Sequence, residues 1–210
     1  TEGEPIYPTP VFGTVGLLDD AKKTVTRHFQ TAGAHVVLLG DNRGELGGSE
    51  YLAVLHDCVA GSPPVLDLAT EQALQRLVIR AIRDGLIESA HDCAEGGLAI
   101  TLAECCFDTV LGVTADLASV GDVPAAFRVN ATLFGESASR IVVSAGAGSV
   151  DGLLAAAREA GVTAAIIGHT GGDRIRLSVD GASVIDVARG DAESMWTTAI
   201  ERRMGADLGR

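Results

Sequence analysis

Three short stretches gather the residues whose types and spacing could do chemistry. The first is GDNRGELGGSEY at 40–51. Its Gly47 and Gly48 let backbone N–H groups approach a ligand, Ser49 can donate to an oxyanion, and Glu50 adds a carboxylate. The same residues suit a surface turn in which Ser49 caps a following helix, and the Gly-Lys-Ser/Thr ending of a P-loop is missing.

The second stretch, SAHDCAEGGL at 89–98, reads as a strand that ends in His91-Asp92 and turns through Gly96-Gly97 into a helix. A helix that starts after a strand leaves unpaired N–H groups and a positive dipole end, which attract phosphate. Asp92 and Glu95 offer hard oxygen atoms that could hold Mg²⁺ against a nucleotide phosphate, or could simply cap the helix. His91 is a candidate general base, or a hydrogen-bonded structural residue.

The third stretch, LFGESASR at 133–140, places Ser137 and Arg140 where they could contact phosphate. Arg140 could equally pair with Glu136, four residues away. His169 among glycines reads as a structural loop residue, and no Ser-His-Asp or Cys-His arrangement is legible.

Alternating elements must position these stretches. The spacing predicts strands over 11–17, 35–39, 86–91, 112–116, 140–145 and 164–168, and a hairpin over 174–187 around Asp180-Gly181. It predicts helices over 97–107, 124–134, 150–160 and 191–203, and one that starts after Asp67, buries Leu74, Leu77, Val78, Ala81 and Ile82, and stops at Gly85. The expected fold class is α/β of mixed α+β character, a layered mixed sheet with helices. A lone strand at 11–17 cannot bury both faces, so residues 1–33 are expected to be the last strand and linker of a preceding domain, and residues 34–210 a domain of their own.

Composition narrows the function. Lys and Arg number 16 against 28 Asp and Glu, with no basic cluster, which argues against nucleic acid or an anionic membrane as partner. No apolar run approaches the roughly 20 residues that span a bilayer. No signal peptide is legible, so a cytoplasmic protein is expected. Cys58, Cys93, Cys105 and Cys106 form no CxxC pair and are expected to be reduced and buried. The chain begins Thr-Glu-Gly-Glu with no initiator Met, as a fragment or a processed product would.

LGGSEYL at 46–52, SAHDCAEGGLA at 89–99 and LFGESASR at 133–140, in this order, strongly resemble the last domain of the phosphoribosylformylglycinamidine synthase family. PTPVFGTVGLLDD at 8–20 resembles the strand that ends the preceding nucleotide-binding domain of that family, so the similarity spans nearly the whole chain. The resemblance implies the aminoimidazole ribonucleotide synthetase superfamily and the fold of its C-terminal domain. It implies ATP/ADP and Mg²⁺ as cofactors, with Asp92 as the best candidate for contact to the metal-nucleotide. In the family, ATP activates the formamide oxygen of formylglycinamide ribonucleotide, and ammonia from glutamine displaces phosphate to give the amidine. The implied partners are the N-terminal half of the same enzyme, which carries the family's catalytic histidine and main ATP contacts, a glutaminase domain or subunit, and the purine-pathway ribonucleotide. The fragment alone is expected to be inactive. Where the family commonly has Ser-Asp this chain has Ala94-Glu95, and Ala138 stands where Gln often follows Glu-Ser. The alternatives are a non-catalytic, auxiliary half or another enzyme of the superfamily.

Overall fold

The computed structural model describes residues 11–18 and 20–207. Among the described residues seven strands form one mixed sheet: β1 (His35–Leu39), β2 (Ser89–Asp92), β3 (Val113–Leu117), β4 (Ile141–Ala145), β5 (Ala164–Thr170), β6 (Arg174–Val179) and β7 (Ala182–Ala188). Their spatial order is β2-β4-β1-β5-β3-β6-β7. Only β3 and β6 pair in parallel; the other neighbours are antiparallel. The described residues also form seven α-helices: α1 (Glu50–His56), α2 (Leu68–Arg83), α3 (Gly97–Cys106), α4 (Arg128–Phe134), α5 (Val150–Ala160), α6 (Arg189–Thr197) and α7 (Ala199–Asp207).

The apolar run of β1 is explained by burial on both sides of the sheet. Val36 and Leu38 face one core, with Leu98, Leu102, Cys105 and Cys106 of α3. Val37 and Leu39 face a second, with Leu74, Leu77 and Val78 of α2 and Leu153 and Ala157 of α5. Strands β3 and β6 bury alternate residues, so their sequences alternate. The β6–β7 turn has positive φ at both Asp180 (51°) and Gly181 (77°), the conformation that the Asp-Gly pair favours.

Four expectations are corrected. Residues 11–18 form no strand: Val11, Phe12, Val15 and Leu17 are between 88 and 99% exposed, and no described strand pairs with them. The strand expected from Leu86 begins at Ser89, because the Leu86 N–H still closes the end of α2 on Ala81 O (2.9 Å). The helix expected over 124–134 opens as a 3-10 turn at Ala125–Phe127 and becomes α-helical only at Arg128. The final helix is broken into α6 and α7 at Thr198, whose hydroxyl donates to Ser194 O (2.7 Å), while that of Thr197 donates to Glu193 O (2.9 Å). Such back-bonding competes with a continuous ladder.

Residues before the expected boundary at 33 touch the body of the fold: Phe29 is buried in the first core, and Thr26 bridges to Ser89 in parallel. Among the described residues no helix is long and apolar enough to cross a membrane.

Candidate functional site

The three chemistry-bearing stretches come together at one corner of the fold. Strand β1 delivers the first, β2 the second, and the end of α4 the third. Glycines allow the approach. A Cβ on Gly97, whose φ is +64°, would lie 2.5 Å from Gly135 O, and one on Gly135 would lie 2.7 Å from Gly44 Cα. Backbone bonds then lace the stretches: Glu136 N–H donates to Glu45 O (2.8 Å), Glu45 N–H to Ser137 Oγ (3.3 Å), and Cys93 N–H to Arg140 O (3.0 Å).

Most of the polar candidates serve this framework. Ser49 is buried; its Oγ accepts from Leu52 N–H (3.4 Å) and donates to Leu46 O (2.6 Å), the arrangement of a helix cap. Gly47 lies against Ser62, Gly97 donates to Ala94 O (3.1 Å), and Gly96 and Glu50 both donate their N–H to Glu136 Oε1, at 2.8 and 2.9 Å. Ser137 is fully buried. Contact from these atoms to a ligand requires an internal bond to break or to be shared. Gly48, Glu50, Asp92 and Glu95 are the exposed members, Asp92 with 74% of its side chain free.

Arg140 does not pair with Glu136, one of the two partners read from the sequence. It is only 2% exposed, and its Nε, Nη1 and Nη2 donate to Ser137 O (2.8 Å), Asn42 Oδ1 (2.9 Å) and Gly135 O (2.7 Å). Burial pushes its pKa down, yet a guanidinium keeps its proton over the accessible range. Its partners within the chain are carbonyl and amide oxygens, not the Glu136 carboxylate. Asn42 was not singled out by sequence reasoning. It also donates from Nδ2 to Thr132 O (2.9 Å), bridging the first stretch to α4.

His91 is held between carboxylates: Nε2 is 2.8 Å from Glu104 Oε2 on α3, and Nδ1 is 3.3 Å from Asp92 Oδ1. Both ring nitrogens are therefore engaged, and the residue joins β2 to α3. His169 packs its ring on that of His35 at 4.8 Å. Of the thiols, Cys93 is pushed up to about 11 and Cys106 to about 12 by burial, and Cys105 is also raised well above the usual range by burial. Cys58, expected to be buried, is exposed, in the segment that follows the end of α1.

Among the described residues no group of three His, Cys, Asp or Glu side chains is arranged to hold a metal ion. A cleft of about 560 Å³ lies between residues 17–25 and α2, lined by Leu17, Leu18, Val25, Ile79 and Ile82 with Asp20, Lys23, Thr24 and Arg83. It shares no residue with the three stretches and holds none of their glycine-rich turns, so the corner is the better candidate site.

Glu45 ties the outer segment down. Its Oε1 accepts from Val65 N–H (2.9 Å) and its Oε2 from Arg43 Nε (3.1 Å). Partial burial raises its pKa, but the Val65 N–H, Ser137 and Arg43 outweigh that effect and hold it below the usual carboxylate range. A depressed carboxyl stabilises the fold above its unfolded pKa, and that contribution is lost as pH falls through the folded value. Segment 50–66 is accordingly expected to loosen as the solution is acidified below about pH 4. Glu45→Gln should loosen it already at neutral pH, raising amide exchange there roughly five- to tenfold for the loss of a charge-assisted bond. Equal exchange in variant and parent at pH 7 would refute this.

A family model described as AIR synthase related protein, C-terminal domain, matches residues 31–180. The chain belongs to that family, and its mixed sheet with helices is the fold of solved members. It is 44% identical over 215 aligned residues to phosphoribosylformylglycinamidine synthase subunit PurL of Anaeromyxobacter sp. (strain Fw109-5), an alignment covering 100% of this chain and 27% of the relative. It is 42% identical over 200 residues to the same subunit of Moorella thermoacetica, covering 95% of this chain and 26% of the relative. The chain thus spans about a quarter of the length of the curated relatives it matches. A structure of T. maritima PurL complexed with FGAR superposes with a TM-score of 0.71 at 19% identity, covering 82% of this chain and 30% of that one. The same protein complexed with ADP gives 0.66 at 18% identity, covering 82% of this chain and 27% of that one.

Proposed function

We propose that this chain acts as the C-terminal part of a phosphoribosylformylglycinamidine synthase. That enzyme is an ATP-dependent ligase that converts formylglycinamide ribonucleotide to its amidine with ammonia drawn from glutamine. The observation that carries the reading is 44% identity to a PurL subunit across the whole of this chain. In this chemistry the amide oxygen takes the γ-phosphoryl group, ammonia adds to the activated carbon, and phosphate leaves with the oxygen. The developing charge needs positioned donors rather than a protein nucleophile. A chain without a legible nucleophilic triad suits that demand.

On this reading Asp92, Glu95 and Gly48 form the surface that meets the nucleotide, while Ser49, Gly96, Gly97, Ser137 and Arg140 hold it in shape. Magnesium bound with a nucleotide takes one or two protein carboxylates and completes its shell with phosphate and water. Two exposed carboxylates on one turn fit that role, and they do not fit a cage built from protein alone. The ion would supply charge neutralisation on the phosphates. The rest of the relatives' length, the ribonucleotide and a glutaminase are the proposed partners, and the cytoplasm is the proposed location.

Calorimetry with Mg²⁺ and ADP tests the reading. Binding is expected to be weak in this chain alone, stronger beside the complementary N-terminal region, and reduced about tenfold or more by Asp92→Asn, since a lost charge-assisted contact amounts to roughly 1.5–3 kcal/mol. Unchanged affinity in Asp92→Asn would end the role given to Asp92, and absence of amidine formation by the reassembled protein would end the ligase assignment. A second reading, an auxiliary half that completes the assembly without chemistry, draws on the internal engagement of Ser49, Ser137 and Arg140. It calls for assembly without any effect of Asp92→Asn on turnover.

A further inference from the structure

Helix α3 starts without a cap of its own. Gly96 occupies the cap position with φ +78° and has no side chain to offer, and a Cβ there would lie 2.4 Å from Ile100 Cγ1. The Ser, Asp or Asn that usually satisfies a first-turn N–H is therefore excluded by packing as well as by backbone conformation. The N–H of the cap residue itself, which an acid at the third helical position accepts in a capping box and which Ala99 cannot, is taken from 40 residues away: Glu136 Oε1 accepts it at 2.8 Å. The same oxygen takes the N–H of Glu50, the first residue of α1, at 2.9 Å. The Glu136 backbone N–H meanwhile donates to Glu45 O at 2.8 Å. One half-buried residue of the third stretch thus fixes both of the others.

Charge makes this arrangement more than a pair of hydrogen bonds. A carboxylate at a helix N-terminus is favoured by the unpaired N–H groups and by the dipole together, and charge-assisted bonds are roughly twice as strong as neutral ones. We propose that Glu136 is the positioning residue of this corner, an internal anion that fills the N–H groups of Gly96 and Glu50 and so holds the Asp92–Glu95 turn in register with Gly48–Glu50. The role goes beyond the ligase reading and stands whether or not a nucleotide binds there. It also explains why N–H groups that look available to phosphate in the sequence are already taken in the fold.

Glu136→Ala and Glu136→Gln, made in the 210-residue chain, separate this role from ordinary packing. Amide exchange at Gly96 and Glu50 is expected to rise about tenfold or more in Glu136→Ala, the consequence of losing a charge-assisted acceptor. It should rise by less in Glu136→Gln, which keeps an acceptor oxygen but no charge. Sodium formate, compared with sodium chloride at equal ionic strength, is expected to restore the melting temperature and the protection of Glu136→Ala, with no such effect on the parent. A merely structural side chain would show no preference for a small carboxylate. If Glu136→Ala fails to fold, Glu136→Gln decides the matter. Gly96 and Glu50 amides as well protected in Glu136→Gln as in the parent would overturn the proposal, as would recovery of Glu136→Ala by chloride and formate alike.

Discussion

Arg140→Met is expected to lower the melting temperature by about 10 °C, since losses near 3–5 kcal/mol translate at roughly 2–4 °C per kcal/mol in a chain of this size. The substitution keeps most of the volume and so leaves little cavity. What it removes is the donor set for Ser137 O, Gly135 O and Asn42 Oδ1, all within 2.9 Å of the guanidinium. Exchanging a buried ion pair for apolar groups is often neutral because both charges leave together. Here the acceptors include two main-chain carbonyls, which no side-chain substitution can delete, so they stay buried and unpaired. Arg140→Lys should recover only part of the loss, because one ammonium cannot reach three divergent acceptors as a planar fork does. Arg176→Met, on a half-exposed strand position, serves as the control and should shift melting by no more than a degree or two. A change of under 2 °C in Arg140→Met, measured calorimetrically, would show that the corner does not depend on this side chain.

How much of this was legible in the sequence follows from the range of the interactions. Strand β1, helices α2 and α5 and the β6–β7 hairpin rest on periodicity and turn chemistry within a few residues, and the sequence places them within a residue or two. The break at Thr198 was missed because helical spacing continues on both sides, while the hydroxyls that interrupt it act on carbonyls three and four residues back. Val11–Leu17 carries a strand-like composition, but strand formation needs a neighbour, and none of the described strands lies beside it.

The corner itself was readable as a set of glycines, acids and hydroxyls, and unreadable as a set of partners. The sequence suits Ser49 both to phosphate contact and to a helix cap; only the fold shows its hydroxyl on Leu46 O and the Leu52 N–H. From the sequence Glu136 offers itself only as a mate of Arg140. Its true partners, Gly96 and Glu50, lie 40 and 86 residues away, and no local pattern encodes such distances. Arg140 and Asn42 are 98 residues apart. The one local hint is negative: Gly96-Gly97 at a helix start supplies no capping side chain, and Ala99 at the third helical position offers no acceptor for the Gly96 N–H.

The closeness of the three stretches leads to the second large effect, that of Gly97→Ala. At this position φ is +64°, and a Cβ would sit 2.5 Å from Gly135 O, 2.8 Å from Phe134 C and 3.0 Å from Leu133 O. All three obstacles are main-chain atoms at the end of α4, so no rotamer change relieves them. Gly161 supplies the matched control: its φ is +69°, it ends α5, and nothing lies within 4 Å of its would-be Cβ. Gly161→Ala therefore meets only the backbone penalty, about 1 kcal/mol, and should lower melting by roughly 2–4 °C. Gly97→Ala meets that penalty and must also push α3 away from α4, for a total of about 3 kcal/mol or more and a melting shift near 10 °C. Because the displacement carries the Gly96 N–H away from Glu136, that amide should lose its protection before the rest of α3 does. Equal melting shifts in the two variants would mean that α3 and α4 can separate freely, and that the glycine is there for its backbone conformation alone.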